Sequence, residues 1–135
     1  MREIKFRGRP LKPSHQEPDW IVGDLLHEGT CPDDDEYAIL YYDEEDGWLS
    51  DKVINKTIGQ FTGLLDKNGR EIYEGDILKV GDVESLIEVR FVRGVFAFLL
   101  NGDLDDEFPC NAPTQEWAEV IGNIHNDPKL IKKNN

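Results

Sequence analysis

Carboxylates are the residues of this sequence whose type and clustering could support chemistry. Three runs concentrate them, at residues 33–36, 43–46 and 103–107. Calcium takes six to eight oxygen ligands, and EF-hand loops supply them at alternate positions with a fixed glycine and a terminal glutamate. None of the three runs has that spacing. We therefore expect solvated acidic loops and no metal site.

Histidine and cysteine offer little for zinc binding or nucleophilic catalysis. His27 and Cys31 are close in sequence, but no second ligand pair at zinc-finger spacing accompanies them. Cys31 and Cys110 belong to no CxxC pair, and we expect free thiols. GxSxG, Walker A and GxGxxG motifs are absent from the sequence. We predict a protein that is not an enzyme and that binds no cofactor.

Charge is distributed unevenly along the 135 residues, whose formal net charge is −13. Residues 1–16 carry five Lys or Arg against one Glu, whereas residues 17–51 carry thirteen Asp or Glu and no Lys or Arg. This acidity favours solubility and opposes nucleic-acid binding. No segment approaches the ~20 apolar residues of a membrane span, and the charged start is followed by no apolar signal region. We expect a cytoplasmic protein.

The elements that must position these residues are predicted to be strands. Residues 57–80 give a strand with period-two alternation, a turn at Asp66-Lys67-Asn68-Gly69, a returning strand, a second turn at Glu74-Gly75-Asp76 and a third strand. Further strands are predicted at residues 3–7, 20–26 and 37–42, the first two as a hairpin. In the C-terminal part, Ile87 to Phe91 predicts a strand with one face in solvent.

The stretch TIGQFTGLLDKNGREIYEGDILKV resembles the signature of the YopX-like family, small proteins encoded mostly by bacteriophages and prophages. The opening MREIKFR and the closing VIGNI are also similar to that family, so the resemblance covers essentially the whole chain. Leu65 and the loop Lys12 to Pro18 depart from the family pattern. The resemblance implies a mainly β fold with an SH3-like barrel in the C-terminal half. It implies no biochemical activity.

We therefore predict a mainly β protein in which short helical turns are the only helix. The predicted parts are an N-terminal β section with acidic loops (residues 1–56), an SH3-like barrel packed with it (57–127) and a short terminal helix or frayed tail (128–135); one compact unit is the alternative. Exposed sheet edges make a homo-oligomer a further expectation. The predicted core consists of Phe61, Leu64, Ile72, Ile77, Val89, Phe91, Phe96, Phe98 and Ile121.

The predicted function is protein–protein contact through the acidic block 17–51, with a host or phage protein as the partner. Carboxylates interleaved with aromatic side chains suit a negative surface that a DNA-binding host protein would recognise, in a contact that salt weakens. The alternative for this block is a surface that serves only solubility. The candidate residues are Asp33, Asp34, Asp35, Glu36, Tyr37, Tyr41, Tyr42, Asp43, Glu44, Glu45, Asp46 and Trp48.

The alternative function is nucleic-acid binding by the basic N-terminal strand. Lys5, Arg7 and Arg9 would form the basic face, and Phe6 would be available for stacking. The overall charge of the chain opposes this hypothesis. A third class, a metal-dependent enzyme, would require carboxylates from separate loops to converge.

Overall fold

The structure is a computed structural model, and it describes residues 3–12, 20–27, 36–81, 84–109 and 114–131. Within these ranges the chain is mainly β, as predicted, and helix is confined to short turns. The helical segments are α1 (Thr114–Trp117) and 3₁₀ turns at Asn55–Thr57, Leu104–Asp106 and Pro128–Ile131. The strands are β1 (Phe6–Gly8), β2 (Ile21–His27), β3 (Tyr37–Asp43), β4 (Gly47–Lys52), β5 (Gly59–Leu65), β6 (Glu71–Tyr73), β7 (Asp76–Val80), β8 (Leu86–Val92), β9 (Val95–Leu100), β10 (Glu107–Pro109) and β11 (Ala118–Asn123).

The chain divides into two compact units, residues 1–61 and 62–135. In the first unit, antiparallel strands follow the order β4-β3-β2-β1 and then the start of β5, so the predicted β1–β2 pairing is confirmed. Alternation on β3 directs Ile39 into the interior, where it packs with Ile21 and Val53. A Cβ on Gly23 would lie 2.0 Å from the carbonyl oxygen of Leu40. Only glycine fits at this point of β2.

The β5–β6 hairpin confirms the turn predicted at residues 66–69. The Oδ1 atom of Asp66 accepts hydrogen bonds from the backbone N–H groups of Asn68 (2.9 Å) and Arg70 (2.8 Å). Gly69 has a φ of +81°, in the left-handed region that glycine adopts readily. A turn of this kind fixes where β5 ends and β6 begins.

The second unit contains a five-stranded antiparallel sheet with the order β10-β9-β8-β7-β11. Neither this sheet nor the one that includes β1 to β6 closes into a barrel within the described residues, so the SH3-like barrel stays a prediction. The buried cluster of the second unit consists of Ile72, Leu78, Ile87, Val89, Phe98, Ala118 and Val120.

Two predicted core residues are exposed instead, Phe91 by 48% and Ile121 by 37%. Phe91 lies beyond the part of β8 that pairs with β7, so β9 is the only strand of the described residues that flanks it. Val120 pairs with Leu78 of β7 and Gly122 pairs with the next residue, Ile77, so Ile121 is an extra residue in β11. This β-bulge turns the Ile121 side chain outward. The remaining predicted core residues are buried or half-buried: Phe61, Leu64, Ile72, Ile77, Val89, Phe96 and Phe98.

The solvent-facing side predicted for β8 is also wrong at Glu88, which is only 4% exposed. Glu88 lies opposite Ile77 on β7 and Leu99 on β9, and both of these residues are fully buried. Arg90 donates to the two Glu88 carboxylate oxygens from Nε (2.8 Å) and Nη2 (2.9 Å). This bidentate pair supplies the partner that a buried carboxylate requires.

Candidate interaction surface

The tip of the β3–β4 hairpin is built by Asp43 and Gly47. The Oδ1 atom of Asp43 accepts hydrogen bonds from the backbone N–H groups of Glu45 (2.7 Å) and Asp46 (3.1 Å). Gly47 has a φ of +77°, and a three-residue hairpin loop commonly ends on a residue in this conformation. The loop therefore holds Glu44, Glu45 and Asp46 in solvent, where all three are exposed.

An exposed aromatic pair lies beside this acidic tip. Tyr42 and Trp48 are directly opposite each other in the β3–β4 register, which brings their rings to 5.4 Å between centroids at an interplanar angle of 70°. Tyr42 is 61% exposed and Trp48 is 65% exposed. Edge-to-face geometry is favourable for aromatic rings. Two large side chains are thus held in one orientation while most of their surface remains in water.

The other two predicted tyrosines face the opposite side of the sheet. Tyr37 and Tyr41 are half-buried against the cluster formed around Ile39. The Tyr37 ring stacks on His27 at 4.8 Å, and the Tyr41 hydroxyl donates a hydrogen bond to the carboxylate of Asp51. The period-two alternation of β3 thus divides the predicted aromatic residues between the core and the surface.

Of the remaining acidic residues of the predicted surface, the structure describes Glu36 but not residues 33–35. Glu36 is exposed, and its Oε2 lies 3.4 Å from Lys52 Nζ. An exposed ion pair of this kind contributes little to stability. Asp33, Asp34 and Asp35 lie outside the described residues. The structure therefore brings together Tyr42, Trp48, Glu44, Glu45 and Asp46 as one hairpin surface.

Val22 is an apolar residue of the same sheet face that the sequence analysis did not include. It is 40% exposed on β2, and it shares its face with Asp24, which pairs with Leu40 on β3. Leu40 in turn shares its face with Tyr42. The sequence contained a signal for the exposure of Val22, since Val22 and Asp24 alternate with the inward-facing Ile21.

The alternative basic face is largely engaged in contacts within the first unit. Arg7 is 7% exposed, and its guanidinium lies 4.6 Å from the centroid of the Trp20 ring. Lys5 Nζ lies 3.0 Å from a Glu3 carboxylate oxygen and 4.9 Å from the Phe61 ring centroid. Arg9 is half-buried, and its backbone N–H donates to Thr57 Oγ1 at 2.9 Å.

The part of the chain that the structure describes contains His, Asp and Glu side chains as possible metal ligands. No group of three or more His, Cys, Asp or Glu side chains in those ranges could hold a metal ion. Cys31, Cys110 and His15 lie outside them. In the same ranges, none of the helices has the length and apolar character needed to cross a lipid bilayer.

One family model and several solved structures are similar to this chain. The family model described as YopX protein matches residues 16–132. The crystal structure of protein EF1440 from Enterococcus faecalis is similar, with a TM-score of 0.57, 23% identity, and coverage of 98% of this chain and 100% of that one. The crystal structure of yopX from Bacillus subtilis has a TM-score of 0.52 and 17% identity, with both chains fully covered.

These structural matches support the fold alone, because both identities are below 25%. No curated protein matches the chain. The family model, in contrast, extends over most of the sequence and includes the stretch that carried the resemblance. The chain belongs to the YopX family.

Proposed function

We propose that this protein is non-catalytic and acts through protein–protein contacts made by the outer face of the β3–β4 hairpin. The observation that carries the proposal is the Tyr42–Trp48 pair, which is mostly exposed and lies beside the carboxylates of Glu44 and Glu45. Interface centres are enriched in Tyr and Trp, and charged residues occupy the rim. The partner that fits is a protein with a basic surface around an apolar recess.

The binding free energies expected for the aromatic residues and for the carboxylates differ, so the two kinds of residue have different roles. An aromatic side chain buries about 150–250 Å², so covering the exposed ~60% of each ring at ~25 cal/mol per Å² contributes roughly 2–4 kcal/mol per residue. Exposed carboxylates contribute less affinity, but they accelerate association with a basic partner and make the contact sensitive to salt. Tyr42 and Trp48 are therefore the affinity determinants of the proposal.

The proposal includes the setting that the family resemblance implies. It describes a phage- or prophage-encoded protein that works in the cytoplasm of a bacterial host without a cofactor. For the fold, we propose that the second unit has an SH3-like arrangement. The short antiparallel strands β7, β8 and β9, which are neighbours in its sheet, support this. The nucleic-acid alternative has no comparable support, since the Arg7 guanidinium is buried against Trp20.

The test is a pull-down with defined surface variants. The tagged protein is exposed to a lysate of Bacillus subtilis, a source of one similar structure, at about 0.1 M and 0.5 M salt, where the Debye length falls from ~10 Å to roughly half of that. A Y42S/W48S variant removes the aromatic pair, and an E44Q/E45Q variant removes tip charge. Phe91→Ser is the matched control, because Phe91 is an exposed aromatic residue of the second unit.

The proposal predicts a protein that wild type and Phe91→Ser retain equally and that Y42S/W48S loses at both salt concentrations. E44Q/E45Q should retain less of it at low salt than wild type does. A partner that is retained by Y42S/W48S, or recovery of the bait alone from bacterial and phage-infected lysates, would contradict the proposal.

A further inference from the structure

The dipeptide Asn-Gly occurs twice in the sequence, at residues 68–69 and 101–102. Asparagine is chemically labile in this context, because the glycine that follows has no side chain to hinder the approach of its backbone nitrogen to the asparagine amide. Both pairs lie in turns of the second unit, the first between β5 and β6 and the second directly after β9. The two turns hold their asparagine side chains differently, so we expect different reactivity.

The Asn68 side chain lies in solvent. Asn68 and Gly69 are both exposed, and no atom of the described residues lies within 4 Å of the position that a Cβ on Gly69 would take. The backbone N–H of Asn68 donates to Asp66 Oδ1 at 2.9 Å, but the Asn68 side chain has no hydrogen-bond partner among the described residues. Its amide group can therefore rotate toward the Gly69 nitrogen without breaking a contact.

The Asn101 side chain, in contrast, is held by β8. Its Oδ1 accepts a hydrogen bond from the backbone N–H of Leu86 at 3.2 Å, and the backbone N–H of Asn101 donates to the Leu86 carbonyl at 2.7 Å. Gly102 is buried, and its N–H donates to the Leu99 carbonyl at 3.1 Å. Attack by the Gly102 nitrogen would require the Asn101 side chain to leave Leu86, so we expect this site to be protected.

We propose that Asn68 is a site of spontaneous deamidation in the folded protein. The backbone nitrogen of Gly69 attacks Cγ of Asn68, so that an N–Cγ bond forms and the Cγ–Nδ2 bond breaks. The side-chain nitrogen leaves as ammonia, with the proton of the Gly69 N–H. Water then opens the succinimide ring, at Cγ to give aspartate or at the main-chain carbonyl carbon to give isoaspartate. This inference does not depend on the proposed function.

The fold restrains the Gly69 nitrogen but leaves it exposed. Its N–H donates to the Asp66 carbonyl at 3.0 Å, and this hydrogen bond must open before the nitrogen can attack. Exposed turns open locally at a smaller free-energy cost than core strands do. We therefore expect Asn68 to react more slowly in the folded protein than in the unfolded chain, without a need for global unfolding.

The isoaspartate product does not fit the turn. It directs the main chain through Cγ, which inserts one additional carbon atom into the backbone at position 68. Asp66 Oδ1 accepts hydrogen bonds from the N–H groups of Asn68 and Arg70, which lie on the two sides of this insertion. The other Asp66 oxygen accepts from Val120 of β11. Formation of isoaspartate should therefore loosen the turn and its connection to β11.

Peptide mass spectrometry on the full chain tests the proposal after incubation at mildly alkaline pH, with and without guanidinium chloride. In the denaturant both asparagines should convert, which shows that the conditions suffice. In the folded protein, Asn68 should convert at least about fivefold faster than Asn101, the factor that corresponds to one intramolecular hydrogen bond. An Asn68 that stays unchanged while the unfolded chain converts, or an Asn101 that converts as fast or faster, would overturn the proposal.

Two substitutions test the consequence for the turn. Asn68→Asp introduces the carboxylate without the additional backbone atom, so it should unfold at a higher denaturant concentration than incubated wild type that is rich in isoaspartate. Asn68→Ser cannot form the succinimide, and its unfolding midpoint should not change during incubation. Incubated wild type that contains isoaspartate at position 68 and is as stable as fresh protein would refute the effect on the turn.

Discussion

The carboxylate of Asp66 accepts a hydrogen bond at 3.0 Å from the backbone N–H of Val120, 54 residues further along the chain. Asp66 is 2% exposed, and its other oxygen closes the β5–β6 turn. One side chain thus joins this turn to β11. Burial by itself raises the pKa of Asp66, but the three backbone N–H donors outweigh it and hold the pKa below its ordinary value.

Asp66→Asn should destabilise the protein by about 1–3 kcal/mol at pH 7, because the amide cannot accept all three hydrogen bonds. A pKa that is lower in the folded state stabilises the fold above the unfolded value of about 3.9. This stabilisation is lost as the pH falls through the folded pKa. Urea unfolding between pH 7 and pH 3 should show the difference between wild type and variant shrinking with acid. A constant difference would contradict the assignment.

Arg90 is expected to stabilise the fold, because its removal would leave the buried Glu88 carboxylate without the guanidinium that donates to both of its oxygens. The side-chain hydrogen bonds with Glu88 raise the pKa of Arg90, so the guanidinium stays charged throughout the accessible pH range. Arg90→Met should cost about 2–4 kcal/mol, whereas the double variant E88L/R90M should recover part of that loss. Denaturant unfolding of both variants measures this. If Arg90→Met were as stable as wild type, the Glu88–Arg90 ion pair would be dispensable for stability.

Gly23→Ala should be among the most damaging small substitutions in the first unit. The added Cβ would lie 2.0 Å from the Leu40 carbonyl oxygen, and backbone atoms cannot yield as a flexible side chain does. We expect a loss of more than about 2 kcal/mol. The matched control is Gly47→Ala, where a Cβ would have no atom of the described residues within 4 Å and the positive φ costs about 1 kcal/mol. Equal losses for the two variants would exclude the steric explanation.

The β8–β9 turn offers a stabilising substitution. Arg93 and Gly94 have φ values of +49° and +82°, the pattern of a two-residue type I′ turn. Arginine is unfavourable at positive φ, whereas asparagine tolerates it. Arg93→Asn should raise the free energy of unfolding by about 0.5–1 kcal/mol, and Arg93→Val should lower it. Thermal unfolding that ranks valine at or above asparagine would refute this explanation.

Local pattern in the sequence predicted the strands and the turns that join them. The structure contains the Asn-Gly turn at 68–69 and the pairing of the first two strands. It also contains the strand predicted from the alternation of residues 58–64, which begins at Gly59 because residues 55–57 form a 3₁₀ turn. These features depend on φ preferences and on period-two alternation, which act over a few residues. The exposed acidic tip at residues 44–46 was predictable for the same reason.

Tertiary structure decided which of the alternating faces is covered. Tyr41 and Tyr42 are neighbours of the same type, yet Tyr41 is half-buried against the core and Tyr42 is exposed beside Trp48. Among the described strands, two flank Glu88, which is buried, and one flanks Phe91, which is exposed. The number of strands beside a residue depends on the order in which distant segments pair. That order is set by the packing of the whole sheet, which no short window of sequence contains.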